Sequence, residues 1–186
     1  MGQARGRNEV KRRRDRLDSV VDQVDGATLP PELLAHFARY LAILISGYVE
    51  QSAKELIREY ARRQSDPRVQ RLVGKHVDRF RNLDPGKLKQ LLDALDPNWW
   101  PMLNDAHTDD LEALASVATL RNSVSHGGDS NASLTVVKGY LDRVENLVKW
   151  LIMLLVSCVI SSFTLVASPV RMVHDTIGDD AGVGAG

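Results

Sequence analysis

Several kinds of residue are scarce in this chain, and each scarcity excludes a class of protein. The 186 residues include one cysteine, Cys158, which excludes an internal disulfide and a cysteine-based zinc site. Thirteen glycines and seven prolines are too few for a collagen-like or low-complexity chain. With 44% apolar and 26% charged residues, the composition is that of one globular domain, and we expect a cytoplasmic location.

Motifs for the common nucleotide and metal chemistries are also missing. The chain contains no GxxxxGK[ST], GxGxxG, HExxH or CxxC pattern, so we expect neither a cofactor nor a bound metal. One cluster of acidic residues and histidine could contact a cation: Asp105, His107, Asp109 and Asp110. The alternative interpretation is a polar loop that caps the next helix.

The net charge is zero, with 24 basic and 24 acidic residues, but the basic residues concentrate at the N-terminus. Residues 1–16 contain seven Arg or Lys and two acidic residues, a local charge of +5. Two interpretations of this arm are open. It could attract nucleic acid or an anionic membrane surface, or it could be the solvated end of a helix.

Apolar residues recur at spacings of three and four along almost the whole chain, which predicts an all-α fold. A short first helix is followed by a long one, predicted from Pro30-Pro31 to about Gln64. Asp66-Pro67 and Asp84-Pro85 predict the starts of a third and a fourth helix, because aspartate caps a helix and proline suits its first turn.

Further predictions concern the burial of the third helix and the elements that follow the fourth. The third helix is expected to bury five apolar side chains, Val69, Leu72, Val73, Val77 and Phe80. Residues 98–103 are expected to form an aromatic connector that fills the core. Thr108 is expected to cap the next helix, which ends at Gly127-Gly128, and Ser133 to cap the last one.

We divide the chain into a basic arm and short helix (1–29), a helical domain (30–167) and a flexible tail (168–186). Residues 150–167 carry no charge and are long enough for a membrane span. We expect a packed helix instead, because an amphipathic stripe precedes and enters this run; association with a membrane is the alternative. The stripe consists of Val137, Leu141, Val144, Val148, Leu151 and Leu155.

One group of residues that could carry out a reaction remains, the segment RNSVSHG at residues 121–127. Asn122 and His126 are four residues apart and share a helix face, and the long Arg121 side chain can reach the same patch. An imidazole beside a guanidinium suits RNA transesterification: the imidazole moves protons and the guanidinium stabilises charge on phosphorus. The alternative is a helix end whose arginine pairs with a carboxylate.

This segment resembles the RNxxxH signature of HEPN domains, an all-helical superfamily of nucleotide-binding proteins and ribonucleases. The segment YLAILISGYVE at residues 40–50 resembles the RiboL-PSP branch of that superfamily in particular. The order of the downstream segments 60–63, 98–99 and 120–122 is also similar. The resemblance covers about residues 30–155.

The resemblance implies a helical bundle that dimerises, so that two RxxxxH motifs face one cleft. It implies metal-independent RNA cleavage that leaves a 2′,3′-cyclic phosphate, often in a toxin of a toxin–antitoxin or phage-defence system. By position, Arg121 would stabilise the phosphorane, Asn122 would orient the site, His126 would be the acid/base group and Glu50 a supporting acid.

The partners implied are RNA, a second copy of the chain and an antitoxin such as a minimal nucleotidyltransferase. The alternative function is a non-catalytic HEPN-like module that binds a nucleotide or a protein.

Overall fold

A computed structural model of the chain describes residues 5–128 and 132–164, with side chains described as far as residue 155. These residues form seven helices and no strand, which confirms the predicted all-α fold. The helices are α1 (Arg5–Asp25), α2 (Pro31–Gln64), α3 (Pro67–Arg79), α4 (Pro85–Asp93), α5 (Trp99–Ala106), α6 (Thr108–Ser125) and α7 (Leu134–Thr164).

The long helix α2 is the centre of the bundle, because it packs against α1, α3, α6 and α7. Its side chains Leu41, Ile45 and Leu56 are fully buried. Among the described helices, α2 is also the one whose length and apolar composition would allow it to cross a membrane. In the described residues, this helix contacts four other helices of the bundle.

Helix α1 packs on α2 and contributes to the same core. Val10 and Leu17 are buried in the main apolar cluster. At Gly6 the two helices approach so closely that an added Cβ would lie 3.2 Å from the Cβ of Glu59. The basic N-terminal segment is therefore a structural element of the bundle from residue 5 onward.

The predicted helix boundaries at the two Asp-Pro pairs are confirmed. An Asp66 side-chain oxygen accepts hydrogen bonds from the backbone N–H groups of Arg68 (2.7 Å) and Val69 (3.3 Å). An Asp84 side-chain oxygen accepts one from Lys87 at 2.9 Å. Each aspartate satisfies donors that a helix start leaves free.

The burial predicted for α3 is wrong at two of its five positions. Leu72 is 68% exposed and Val69 is 41% exposed, whereas Val77 is buried and Val73 and Phe80 are half-buried. Helix α3 packs mainly on α2, so that only one narrow stripe of its surface is covered.

Two further predictions need correction between α4 and α6. Most of the predicted aromatic connector, residues 98–103, lies in the helix α5, although Trp99 is buried as expected, with its ring 5.6 Å from that of Tyr60. Thr108 does not cap α6: its hydroxyl donates to the carbonyl of Asn104 at 2.7 Å, and His107 occupies the cap position.

The last helix follows the predicted stripe. The Ser133 hydroxyl oxygen accepts a hydrogen bond from the backbone of Val136 at 3.3 Å, which confirms the cap. All six apolar positions of the stripe between Val137 and Leu155 are buried. The side chains of residues 156–167 and the expected flexible tail, residues 168–186, lie outside the described residues.

Candidate functional site

The RNSVSHG segment forms the last turns of α6, and two glycines end the helix there. The backbone N–H of Gly128 donates to the Ser123 carbonyl at 2.9 Å, and that of Gly127 donates to the Val124 carbonyl at 3.2 Å. This double hydrogen bond is a Schellman motif, in which the residue after the cap adopts a left-handed conformation. Gly127 has a φ of 72°, which favours glycine, and His126 is thereby fixed as the C-terminal cap of α6.

The second glycine is required for a different reason, its close approach to the helix. A Cβ added at Gly128 would lie 2.7 Å from Oγ of Ser123 and 3.2 Å from its carbonyl oxygen. A side chain at position 128 would therefore push the chain away from α6 and shift the turn that holds His126.

Asn122 is held by a residue that the sequence analysis missed. Its Oδ1 accepts a hydrogen bond from Nδ2 of Asn82 at 3.1 Å, across 40 positions of sequence. Asn82 lies in the loop between α3 and α4 and has a φ of 53°, in the left-handed region that asparagine tolerates better than most residues. An isolated asparagine before a helix start gives no local signal for such a contact.

Glu50, on α2, acts on this site through Asn82. Its Oε2 accepts a hydrogen bond from the Asn82 backbone N–H at 2.6 Å. Its Oε1 accepts from Lys54 Nζ at 2.7 Å and from Gln51 Nε2 at 3.3 Å. Because the Lys54 side chain is only 7% exposed, this ion pair is shielded from water and holds the Glu50 carboxylate in place.

Lys87, at the start of α4, also fixes the α3–α4 loop. Its Nζ donates to the carbonyl oxygens of Arg81 (2.8 Å) and Asn82 (2.9 Å). Both the N–H and the carbonyl of Asn82 are thus fixed, and its amide group is positioned against Asn122. Glu50 on α2, Asn82 and Lys87 around the α3–α4 loop, and Asn122 on α6 therefore form one polar network.

The two ionisable side chains of the motif are not part of that network. Arg121 is half-buried and His126 is exposed, and neither forms a side-chain hydrogen bond or ion pair with another described residue. The alternative in which Arg121 pairs with a carboxylate is therefore not found within residues 5–128 and 132–155.

The acidic cluster before α6 has a structural arrangement. Nδ1 of His107 lies 2.8 Å from Oδ2 of the buried Asp110, whose other oxygen accepts from Asn146 of α7 at 3.4 Å. Arg143 of α7 donates to Asp109 at 3.1 Å. The cluster joins α6 to α7. Within the described side chains, no group of three or more His, Cys, Asp or Glu is placed to hold a metal ion.

Comparison with known proteins identifies the family. Neither a curated protein nor a solved structure was found that matches the chain. The RiboL-PSP-HEPN family model matches residues 8–156, which include most of α1, the polar network and the whole RxxxxH motif. The chain belongs to the RiboL-PSP-HEPN family, and its bundle is a HEPN-type domain.

Proposed function

We propose that the protein is a cytoplasmic, metal-independent endoribonuclease whose active site contains Arg121, Asn122 and His126. One observation carries the proposal: the polar network holds Asn122 in place, while Arg121 and His126 beside it have no partner among the described residues. A functional site needs reactive groups open to substrate on a rigid support, and α6 with its Glu50–Asn82 anchor meets both conditions. HEPN domains are often ribonucleases, and others bind nucleotides.

The proposed reaction is a transesterification within the RNA backbone. The 2′-oxygen attacks the adjacent phosphorus, and the bond from phosphorus to the 5′-oxygen breaks. The products are a 2′,3′-cyclic phosphate and a free 5′-hydroxyl. One imidazole takes the proton of the 2′-hydroxyl, a second protonates the leaving 5′-oxygen, and Arg121 stabilises the negative charge that builds on the phosphoryl oxygens.

The second imidazole in this proposal is supplied by a second copy of the chain. Each chain supplies one RxxxxH histidine, and residues 121 and 126 diverge by about 140° around an ideal helix. A two-fold dimer would place the two His126 side chains in one cleft and give each Arg121 access to the same phosphate. Sedimentation should show a dimer at about tens of micromolar protein, and a monomer alone would contradict this part of the proposal.

The chemistry is tested with labelled single-stranded RNA in EDTA. His126→Ala should lower the cleavage rate by about 10²–10⁴-fold because proton transfer is lost. Arg121→Ala should lower it by about 10²–10³-fold, as removal of an oxyanion donor does. Ser125→Ala, an exposed residue of the same turn, is the matched control and should leave the rate unchanged.

Analysis of the 3′ ends should reveal the cyclic phosphate, and RNA loops should be cut in preference to duplexes because their backbone can reach in-line geometry. Cleavage that persists in both variants, or that needs a divalent ion, would refute the assignment. RNA binding without any cleavage would favour the non-catalytic module instead.

The toxin role is a finer part of the proposal. Induced expression of the wild-type chain should arrest growth, and His126→Ala should abolish the arrest. Co-expression of a neighbouring antitoxin, such as a minimal nucleotidyltransferase, should relieve it. Arrest that does not depend on His126 would contradict this role.

A further inference from the structure

A basic groove lies beside the proposed active site, between the end of α3 and α4. It has a volume of about 460 Å³ and is lined by His76, Arg79, Phe80, Arg81, Lys87 and Gln90. Three of these side chains are Arg or Lys, and no acidic residue lines the groove. A concave basic surface concentrates field lines and attracts anions.

The two arginines of the groove are not neutralised by neighbouring carboxylates. Neither Arg79 nor Arg81 forms an ion pair or a side-chain hydrogen bond with another described residue. Lys87 is partly engaged, because its Nζ bonds two loop carbonyls and lies 3.3 Å from Oδ2 of Asp84. Two guanidinium groups therefore remain for an external anion.

The surrounding segment strengthens this field. Residues 67–81 contain five Arg or Lys and a single acidic residue, Asp78, a formal charge of +4. Asp78, which this sum already includes, pairs with Arg58 of α2 and with no basic residue of the segment.

The groove also offers an aromatic surface. The rings of His76 and Phe80 meet edge to face with centroids 5.2 Å apart. Single-stranded nucleic acid is bound by the combination of basic side chains for the backbone and aromatic rings for unstacked bases. The groove has both, whereas a site for a small inorganic anion would need no aromatic wall.

The groove is joined to the RxxxxH turn through one residue. Arg81 immediately precedes Asn82, whose side chain donates to Asn122 at 3.1 Å, and Lys87 donates to the Asn82 carbonyl. We infer that this groove binds the phosphodiester backbone of a single-stranded RNA segment next to the scissile phosphate. The inference rests on the proposed function, and it assigns Arg79 and Arg81 as RNA-backbone contacts.

The test measures RNA binding separately from cleavage, in a His126→Ala background. The double variant Arg79→Glu/Arg81→Glu is compared with Arg68→Glu/Arg71→Glu, which makes the same charge change within the same segment, residues 67–81, but outside the groove lining. A fluorescein-labelled single-stranded RNA is titrated by anisotropy over a range of KCl concentrations.

The groove variant should lose at least about tenfold in affinity. Its plot of log affinity against log salt should become shallower by about 1.4, since each single-strand phosphate contact contributes about 0.7. The control should lose less than about threefold and keep its slope. Equal losses in both variants, or no loss in the groove variant, would overturn the inference.

The two proposals can fail separately. If the wild-type protein binds RNA through the groove but never cleaves it, the groove assignment stands and the ribonuclease assignment fails. If the groove variant with His126 intact cleaves RNA with an unchanged KM, the ribonuclease assignment stands and the groove assignment fails.

Discussion

Two segments rich in Arg and Lys, α1 with seven and the α3 segment (residues 67–81) with five, differ in how those side chains are paired. In α1, Lys11 pairs with Asp15 at 2.9 Å, and Glu9 pairs with both Arg12 and Arg13. Arg14 bonds Asp18 of its own helix and, at 2.7 Å, Glu145 of α7. In the α3 segment, Arg68, Arg71, Lys75, Arg79 and Arg81 form no ion pair with any described residue.

The difference lies in the spacing of the acidic residues. Carboxylates three or four positions from a cation share its helix face, and α1 has them at positions 9, 15 and 18. The α3 segment has only Asp78, which faces α2. The local charge of +5 over residues 1–16 made the N-terminus the more obvious anion-binding segment. Among the described residues, however, more Arg and Lys side chains are without an ion pair in the α3 segment than in α1.

The largest effect that separates the two segments concerns the core. Leu17 of α1 is 5% exposed, and Leu72 of α3 is 68% exposed. Leu17→Ala should reduce the free energy of unfolding by about 2–5 kcal/mol, because a buried leucine leaves a cavity. Leu72→Ala should stay within about 0.5 kcal/mol. Urea denaturation followed by circular dichroism measures both, and equal losses would remove the distinction.

The next largest effect is expected at the ion pair between Arg14 of α1 and Glu145 of α7. Arg14 and Glu145 have side chains 19% and 24% exposed, so Arg14→Glu would place two carboxylates together in a partly buried position. We expect a loss of about 2–3 kcal/mol in unfolding free energy. Arg79→Glu makes the same change on α3 and should cost less than about 0.5 kcal/mol. Adding Glu145→Arg to Arg14→Glu should restore part of the loss.

A pH effect is expected from Tyr48 of α2, whose pKa is influenced by Arg14 and Asp18 of α1. The α3 segment contains no tyrosine. Burial, with a smaller contribution from Glu145, raises the pKa of Tyr48 from 10.0 to about 12. The unfolded chain then releases the phenol proton first, so stability falls as the pH rises from 10 to 12, by about 1.4 kcal/mol per pH unit.

Tyr48→Phe should remove this part of the alkaline slope. Tyr40→Phe, at a side chain that is 50% exposed, is the control and should leave it. Denaturant midpoints measured between pH 9 and pH 12 test the expectation, and identical slopes in wild type and Tyr48→Phe would contradict it.

The smallest effect is expected at the surface of α1. Lys11 and Asp15 form a pair whose side chains are 74% and 55% exposed, so Lys11→Gln should change the unfolding free energy by less than about 0.5 kcal/mol. The RNA affinity of Lys11→Gln should stay within about twofold of wild type, whereas Arg79→Gln should lower the RNA affinity by more than this. If Lys11→Gln weakens RNA binding as much as Arg79→Gln, the contrast between the segments fails.

Local chemistry made most of the fold predictable. The capping aspartates at 66 and 84 and the glycines at 127 and 128 act within a few residues, so their sequence signals mark real helix ends. The stripe on α7 was predictable because its spacing alone defines one face. The exposure of Leu72 was not, since it depends on how many helices pack against α3.

The candidate site also has one part that could be predicted from the sequence and one part that could not. The RxxxxH segment is contiguous and could be recognised in the sequence, whereas its anchor could not. Asn82 contacts Asn122 only because α2, the α3–α4 loop and α6 pack together. The sequence around residue 82 contains no signal that predicts this packing. Glu50 was named by resemblance, but its hydrogen bond to the Asn82 backbone is a consequence of tertiary packing.

The bond between Asn82 and Glu50 has a consequence for hydrogen exchange. A loop amide normally exchanges its proton quickly with solvent, but this one donates at 2.6 Å to a carboxylate held by an ion pair on α2. Its exchange with deuterium requires the loop to separate from α2, which also withdraws the Asn82 side chain from Asn122. The exchange rate of this single backbone proton therefore reports how often the site comes apart in the native protein.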